Sequence, residues 1–345
     1  MVLWFVNTPV PLVTINVQFI KIVKMVSTNS HSKHKNKMNK NFFLVFTIST
    51  LLSFNAQADT LYGLIGGSAY GYNSITGAQV GSVIGDNQFS VSGNIAFDNK
   101  GNLWGLTSGG SAIGFNPITG IQVSSALGIY GQFAPYGSIT FDNKGNLWGL
   151  DSGGSAVGVN PFTGAQVKSA LGVSGLFQSV GSITFDSKGN LWGLTPGNAV
   201  GYNLMTGAQE GSILGNGQFI SGGSIAFDNK GDLWGLTPFG AIGYNSITGE
   251  QVGSALGSGQ FISGGSIAFD NKGDLWGLTP FGVIGYNSIT GEQVGSALGS
   301  GQFRSNSSLA FAPNLTAVPL PAALWLFVSG IALIIGKNNK YKPKL

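Results

Sequence analysis

Residues Phe97 to Leu106 read FDNKGNLWGL, and the same ten-residue phrase returns four times. It stands as FDNKGNLWGL at 141–150, FDSKGNLWGL at 185–194, and FDNKGDLWGL at both 227–236 and 269–278. Its tryptophans, Trp104, Trp148, Trp192, Trp234 and Trp276, are spaced 44, 44, 42 and 42 residues apart. A further step of 42 back from Trp104 reaches Tyr62 in LYGL, so the phrase marks six units. A fixed period of this size points first to a repeat architecture.

Each unit holds four short apolar runs divided by turn residues. In the fifth they are GSIAFD (223–228), DLWGLT (232–237), AIGYN (241–245) and EQVGSAL (250–256), with NKG, PFG and SITG between them. Runs of about five residues rich in Val, Ile, Tyr and Trp, punctuated by Gly, Asn and Pro, are strands joined by hairpins. No segment keeps a helical period over three turns. Four antiparallel strands per unit predict an all-β fold, a six-bladed β-propeller. The first unit lacks the IAFD strand, and a spare one, SLAFAP at 308–313, follows the last, with Phe311 falling 42 after Phe269. The C-terminal strand is therefore expected to complete the first blade and remove two open sheet edges. An open solenoid would need capping repeats, and neither end reads as one.

Within the phrase, DNKG reads as a tight turn in which Asp accepts backbone hydrogen bonds and Gly supplies positive φ. The repeated Trp reads as a packing strut between blades. A calcium loop is disfavoured, because Lys sits where a ligand should be and the following acids are missing. No metal or cofactor is expected. Residues 217–258 and 259–300 differ only at Ala241 against Val283. Such copying suits a structural unit better than one asymmetric catalytic centre.

The charges separate the body from its ends. The chain of 345 residues has a formal net charge of +4, yet all 13 acids lie between Asp59 and Glu292. Only seven of the 17 basic residues lie within 59–317, a net of −6 with the 13 acids, so the basic excess belongs to the ends and is no argument for nucleic-acid binding. There is no cysteine, and both histidines, His31 and His34, precede the body. Disulfides and Ser-His-Asp or Cys-His catalysis are excluded from it.

MNKNFFLVFTISTLLSFNAQADT, from Met38, has a positive start at Lys40, an apolar centre and a small-x-small site ending at Ala58. It reads as a secretory signal peptide, residues 38–58, cut after Ala58 by signal peptidase. Residues 1–37 read as an upstream extension, with Met1, Met25 and Met38 all open as starts. At the other end, VPLPAALWLFVSGIALIIGKNNKYKPKL (318–345) places an apolar run, Ala322 to Gly336, before Lys337, Lys340, Lys342 and Lys344. That order reads as a short membrane helix with a positive stop. The body is then 59–317, long enough for one core or a repeat array.

The tail resembles the PEP-CTERM sorting signals in their VPLPA variant. The residues that carry the likeness are Val318, Pro319, Leu320, Pro321, Ala322 and Trp325, with the basic end after them; Leu320 replaces the Glu of the PEP form. The resemblance implies processing by exosortase, a membrane-embedded cysteine protease, in a Gram-negative bacterium that makes exopolysaccharide, and delivery to the cell surface or matrix. The D-x-x-G-N-L-W turn loosely resembles the NHL, sensor-type and gluconolactonase-like propellers, which implies blade structure shared by many functions.

Three functions follow. As a calcium-dependent, lactonase-like hydrolase the ring would need carboxylates converging on its channel; Asp86 and Asp151 stand outside the repeated turns and lack evident partners. As a binding module it would use the loops of one face. There Gln88, Phe89, Gln132, Phe133, Gln218, Phe219, Gln260 and Phe261 repeat beside Phe239 and Phe281, and amides next to exposed aromatics suit carbohydrate or peptide ligands. The alternative for those Phe residues is that they plug the blade tops. As a scaffold, the ring would be a matrix component without a dedicated small ligand. The expectation is a non-catalytic scaffold or binding module, with exopolysaccharide as partner.

Overall fold

The computed structural model describes residues 59–127, 131–167 and 175–313. The expected extension, signal peptide and sorting tail lie outside these residues. Among the described residues no helix is long and apolar enough to cross a membrane.

The body is all β. The first blade holds β1 (Thr60–Ile65), β2 (Ser68–Asn73) and β3 (Gln79–Ile84). The second is β4 (Ile95–Phe97), β5 (Leu103–Leu106), β6 (Ala112–Phe115) and β7 (Gln122–Leu127). The third shows β8 (Ile139–Phe141), β9 (Leu147–Leu150) and β10 (Ala156–Val159), with a single bridge from Val159 to Gln166 beyond. The fourth is β11 (Ile183–Phe185), β12 (Leu191–Thr195), β13 (Asn198–Tyr202) and β14 (Gln209–Leu214). The fifth is β15 (Ile225–Phe227), β16 (Asp232–Thr237), β17 (Gly240–Asn245) and β18 (Gln251–Leu256). The sixth is β19 (Ile267–Phe269), β20 (Asp274–Thr279), β21 (Gly282–Asn287) and β22 (Gln293–Leu298). The last strand, β23 (Leu309–Phe311), pairs antiparallel with β1, matching Leu61 with Phe311 and Gly63 with Leu309. The first sheet therefore runs β23-β1-β2-β3, and the ring closes as the spare SLAFAP run requires.

The repeated phrase builds the joints between blades. Asp98 Oδ1 accepts hydrogen bonds from the backbone N–H groups of Lys100 (2.9 Å) and Asn102 (2.8 Å). Its Oδ2 accepts from Trp104 Nε1 at 3.0 Å. The same Asp–Trp clip recurs at Asp142–Trp148, Asp186–Trp192, Asp228–Trp234 and Asp270–Trp276, at 3.0–3.2 Å. Each indole is buried and reaches the inner-strand Phe of the next blade. Trp104 meets Phe141 at 5.9 Å between ring centroids, and Trp276 meets Phe311 of the closing strand at 6.0 Å. Tyr62 replaces Trp in the first blade and meets Phe97 at 5.4 Å. Burying an indole of 150–250 Å² contributes about 4–6 kcal/mol at 25 cal/mol per Å², which makes these rings the main joints of the circle.

The glycines beside each Trp are there for close approach. A Cβ on Gly114 would lie 2.5 Å from the Trp104 ring, so the indole lies flat only over a strand without a side chain. A Cβ on Gly105 would lie 2.4 Å from Phe89, and this second contact decides how the loops of one face are read.

Candidate functional site

The loops from the fourth strand of one blade to the first strand of the next share a face with the turns between second and third strands. The structure corrects the expected exposure of the repeated Phe residues on this face. Phe89, Phe133 and Phe219 are buried and Phe261 is half-buried. Each folds back over the glycine that follows the blade's Trp, at Gly105, Gly149, Gly235 and Gly277. They plug the blades, and their rings present little surface to a ligand. Phe177 over Gly193 and Phe303 over Gly63 complete the set. Both were missed in the sequence because Phe177 sits in GLF rather than GQF, and Phe303 lies beyond the last Trp. The fixed offset of fifteen residues from each plug to its Trp is the signal that finds Phe177.

The glutamines divide. Gln88 and Gln218 are exposed, and Gln132 is half-buried. Gln260 Oε1 accepts a hydrogen bond from the Tyr286 hydroxyl at 2.7 Å, and Gln302 accepts one from the Tyr72 hydroxyl. Burial raises the pKa of both phenols, so they remain donors through the neutral range.

Phe239 and Phe281 meet the sequence expectation of exposure, at 72% and 73%. Each occupies the second position of a two-residue Pro-Phe turn. Thr237 Oγ1 donates to Gly240 O at 2.8 Å and accepts from Phe239 N–H at 3.2 Å; Thr279 repeats both bonds with Gly282 and Phe281. Gly240 has φ +126°, and a Cβ there would lie 2.4 Å from Leu256 O, so the turn needs glycine. The two rings are thus held out in fixed positions on adjacent blades. The equivalent turns of the other blades carry Gly66, Ser108, Ser152 and Pro196, with no aromatic.

The inner strands enclose a channel of about 540 Å³. Its mouth on this face is lined by Gly and Ser pairs and by Tyr136, whose ring is 60% exposed. A belt of side-chain hydrogen bonds ties the blades beneath the mouth. Ser308 Oγ accepts from Ile95 N–H (3.1 Å) and Asn94 Nδ2 (3.0 Å), Asn94 Oδ1 accepts from Ile139 N–H (3.1 Å), and Ser266 Oγ accepts from Leu309 N–H (3.1 Å).

The carboxylates are turn builders. Asp151 Oδ1 accepts from Gly153 and Ser155 N–H groups, both at 2.8 Å, and Asp86 Oδ1 accepts from Ser68 Oγ at 3.1 Å. Among the described residues no three His, Asp or Glu side chains come together to hold a metal ion. Asp232 and Asp274 are the two whose pKa is raised, first by burial and then by the neighbouring Asp228 and Asp270 carboxylates.

This ring, with its plugged blades and open channel, is a six-bladed β-propeller. No family model matches the chain, and no curated protein does. Its fold is similar to a chain in the crystal structure of a nidogen/laminin complex, with TM-score 0.57 and 14% identity over 74% of this chain and 98% of that one. It is also similar to a protein of unknown function from Bacteroides caccae, with TM-score 0.51 and 13% identity over 75% of this chain and all of that one. These likenesses establish the fold alone.

Proposed function

We propose that the chain is an exported, exosortase-processed surface protein whose propeller is a non-catalytic scaffold and binding module for exopolysaccharide. The binding half of the reading is carried by the Phe239–Phe281 pair. Two rings held out by preorganised turns offer stacking surface to a sugar without ordering cost. The exposed amides of Gln88 and Gln218 on the same face supply donors and acceptors to hydroxyl groups. The sorting half is carried by the VPLPA motif, the apolar run and the terminal lysines.

Two experiments test the halves separately. Residues 59–317 should retain the producing strain's own exopolysaccharide in a pull-down, and a panel of neutral glycans in an array should rank below it. Retention no greater than that of an unrelated propeller refutes the binding half. In a host lacking exosortase the full chain should accumulate as a membrane-held precursor; equal maturation with and without the enzyme refutes the sorting half.

A further inference from the structure

The opposite face carries a second sixfold feature. Ile75, Ile118, Phe162, Met205, Ile247 and Ile289 occupy one equivalent position in the six blades and are 49–88% exposed. Each stands two residues after the Asn that opens the turn between third and fourth strands. Asn245 Oδ1, for example, accepts from the N–H groups of Ile247 (3.1 Å) and Thr248 (2.9 Å), and the bonds recur in every blade. These are apolar knobs on stiff turns, evenly distributed around a rim. Scattered single apolar residues are ordinary on a protein surface; six at one repeated position are not.

Both ends of the described body leave from this same face. Asn271 Nδ2, in the inner turn of the sixth blade, donates to Asp59 Oδ1 at 2.7 Å and to Ala312 O at 3.5 Å. Ser74 N–H, beside the knob Ile75, donates to Asp59 O at 3.0 Å. Only eight residues, 314–321, separate Pro313 from the apolar run at Ala322–Gly336. Even fully extended they reach about 30 Å, less than the thickness of a bilayer with its headgroups.

We propose that this knobbed face lies against a lipid bilayer in the membrane-held precursor, with the six side chains at headgroup depth and Phe239 and Phe281 turned away from it. The inference rests on the reading of 322–336 as a membrane segment. Six knobs around a rim hold a disc flat, whereas one short tether alone leaves it free to tilt. The exposed lysines of the inner turns, such as Lys144 and Lys230, lie on this face and can place their ammonium groups among headgroups, while Lys100 Nζ lies 4.1 Å over the ring of Phe162. Glu250 and Glu292 are exposed on the same turns, so the face is no cationic patch and apolar insertion carries the contact.

The chain has no cysteine, so single labels are direct. Residues 59–345 would be prepared as Ile118→Cys, Ile247→Cys and Phe239→Cys, each carrying an environment-sensitive fluorophore, and mixed with phosphatidylcholine vesicles. All three should co-sediment with the vesicles. Quenching by aqueous iodide should fall about tenfold at 118 and 247, as expected for a side chain 5–10 Å into the interface, and stay unchanged at 239. Failure to co-sediment overturns the anchor reading and this inference with it. Co-sedimentation with all three labels equally quenched overturns the orientation alone. Protection at 118 and 247 that rises with protein concentration in the absence of vesicles assigns the face to a second copy of the chain instead.

Discussion

Changing Asp232 and Asp274 to Asn should stabilise the protein, and the second, third and fourth blades explain why. There the equivalent residues are Asn102, Asn146 and Asn190, whose Nδ2 groups donate to the clip carboxylates of Asp98, Asp142 and Asp186 at 2.8–2.9 Å. In the fifth and sixth blades a second carboxylate takes that place and faces Asp228 or Asp270 instead. In the Asp232→Asn variant the side-chain oxygen would still accept from Asn245 Nδ2, as the Asp232 carboxylate does now at 3.2 Å, while the new amide donates to Asp228 Oδ2. A hydrogen bond to a charged partner contributes about 1.5–3 kcal/mol; with Asp232 half-buried and Asp274 9% exposed, a discount for solvent screening leaves about 1 kcal/mol each. For a body of this size about 2 kcal/mol for the pair corresponds to a rise in Tm of about 4–8 °C. The sign against pH follows from the raised folded-state pKa of both acids relative to 3.8. The native state holds those protons more tightly than the unfolded chain, so wild-type stability is lost as pH rises from 3.8 through the folded pKa. The advantage of the double variant should therefore be largest at neutral pH and narrow as the pH falls toward the ordinary carboxylate range. Equal melting temperatures at neutral pH, or a gap that widens on acidification, would refute the reasoning.

Four further outcomes are expected. A chain of residues 59–304, lacking β23, should melt far below 59–317 or without a cooperative transition, because Ser308, Leu309 and Phe311 close the belt and the aromatic circle; equal midpoints in thermal melting would mean that β23 does not hold the ring. Gly235→Ala should lower stability by about 1–3 kcal/mol, since its Cβ would lie 2.5 Å from the Phe219 ring, and denaturant titration measures this. The pair Phe239→Ala and Phe281→Ala should leave Tm within about 1 °C, as expected for exposed residues, yet reduce exopolysaccharide retention in the pull-down. Mass spectrometry of exported protein should find Asp59 at the mature N-terminus; retention of 38–58 sinks the signal-peptide reading.

The circle was legible in the sequence because its joints are spelled in one place. Trp104 and its counterparts fix the period, and Phe311 falls one period after Phe269, which announces the closing strand. The fifth-blade strands fall within two residues of the runs read from composition. The candidate site was less legible, because a loop sequence such as GQF does not say which way its Phe turns. The direction is written in the partner, Gly105 or Gly235, whose missing Cβ makes the seat, and that partner is distant along the chain. Phe239 was readable as exposed because a two-residue turn leaves its second side chain nowhere to go but out. The rim of knobs escaped notice because Ile, Phe and Met interchange at that position, and each alone looks like any surface residue.

The near-identity of 217–258 and 259–300 has a consequence for inheritance. Every blade from the second to the sixth seats on the next through the same Trp–Phe joint, and the sixth meets β23 as the fifth meets β19. An unequal crossover between the two copies in the encoding DNA would delete or add one whole blade while leaving every junction native. Curvature alone, the angle each joint imposes, then selects which products close. The gene can thus sample rings of different blade number in single steps, and the present ring is the member of that series whose sixth joint returns the chain to its own first strand.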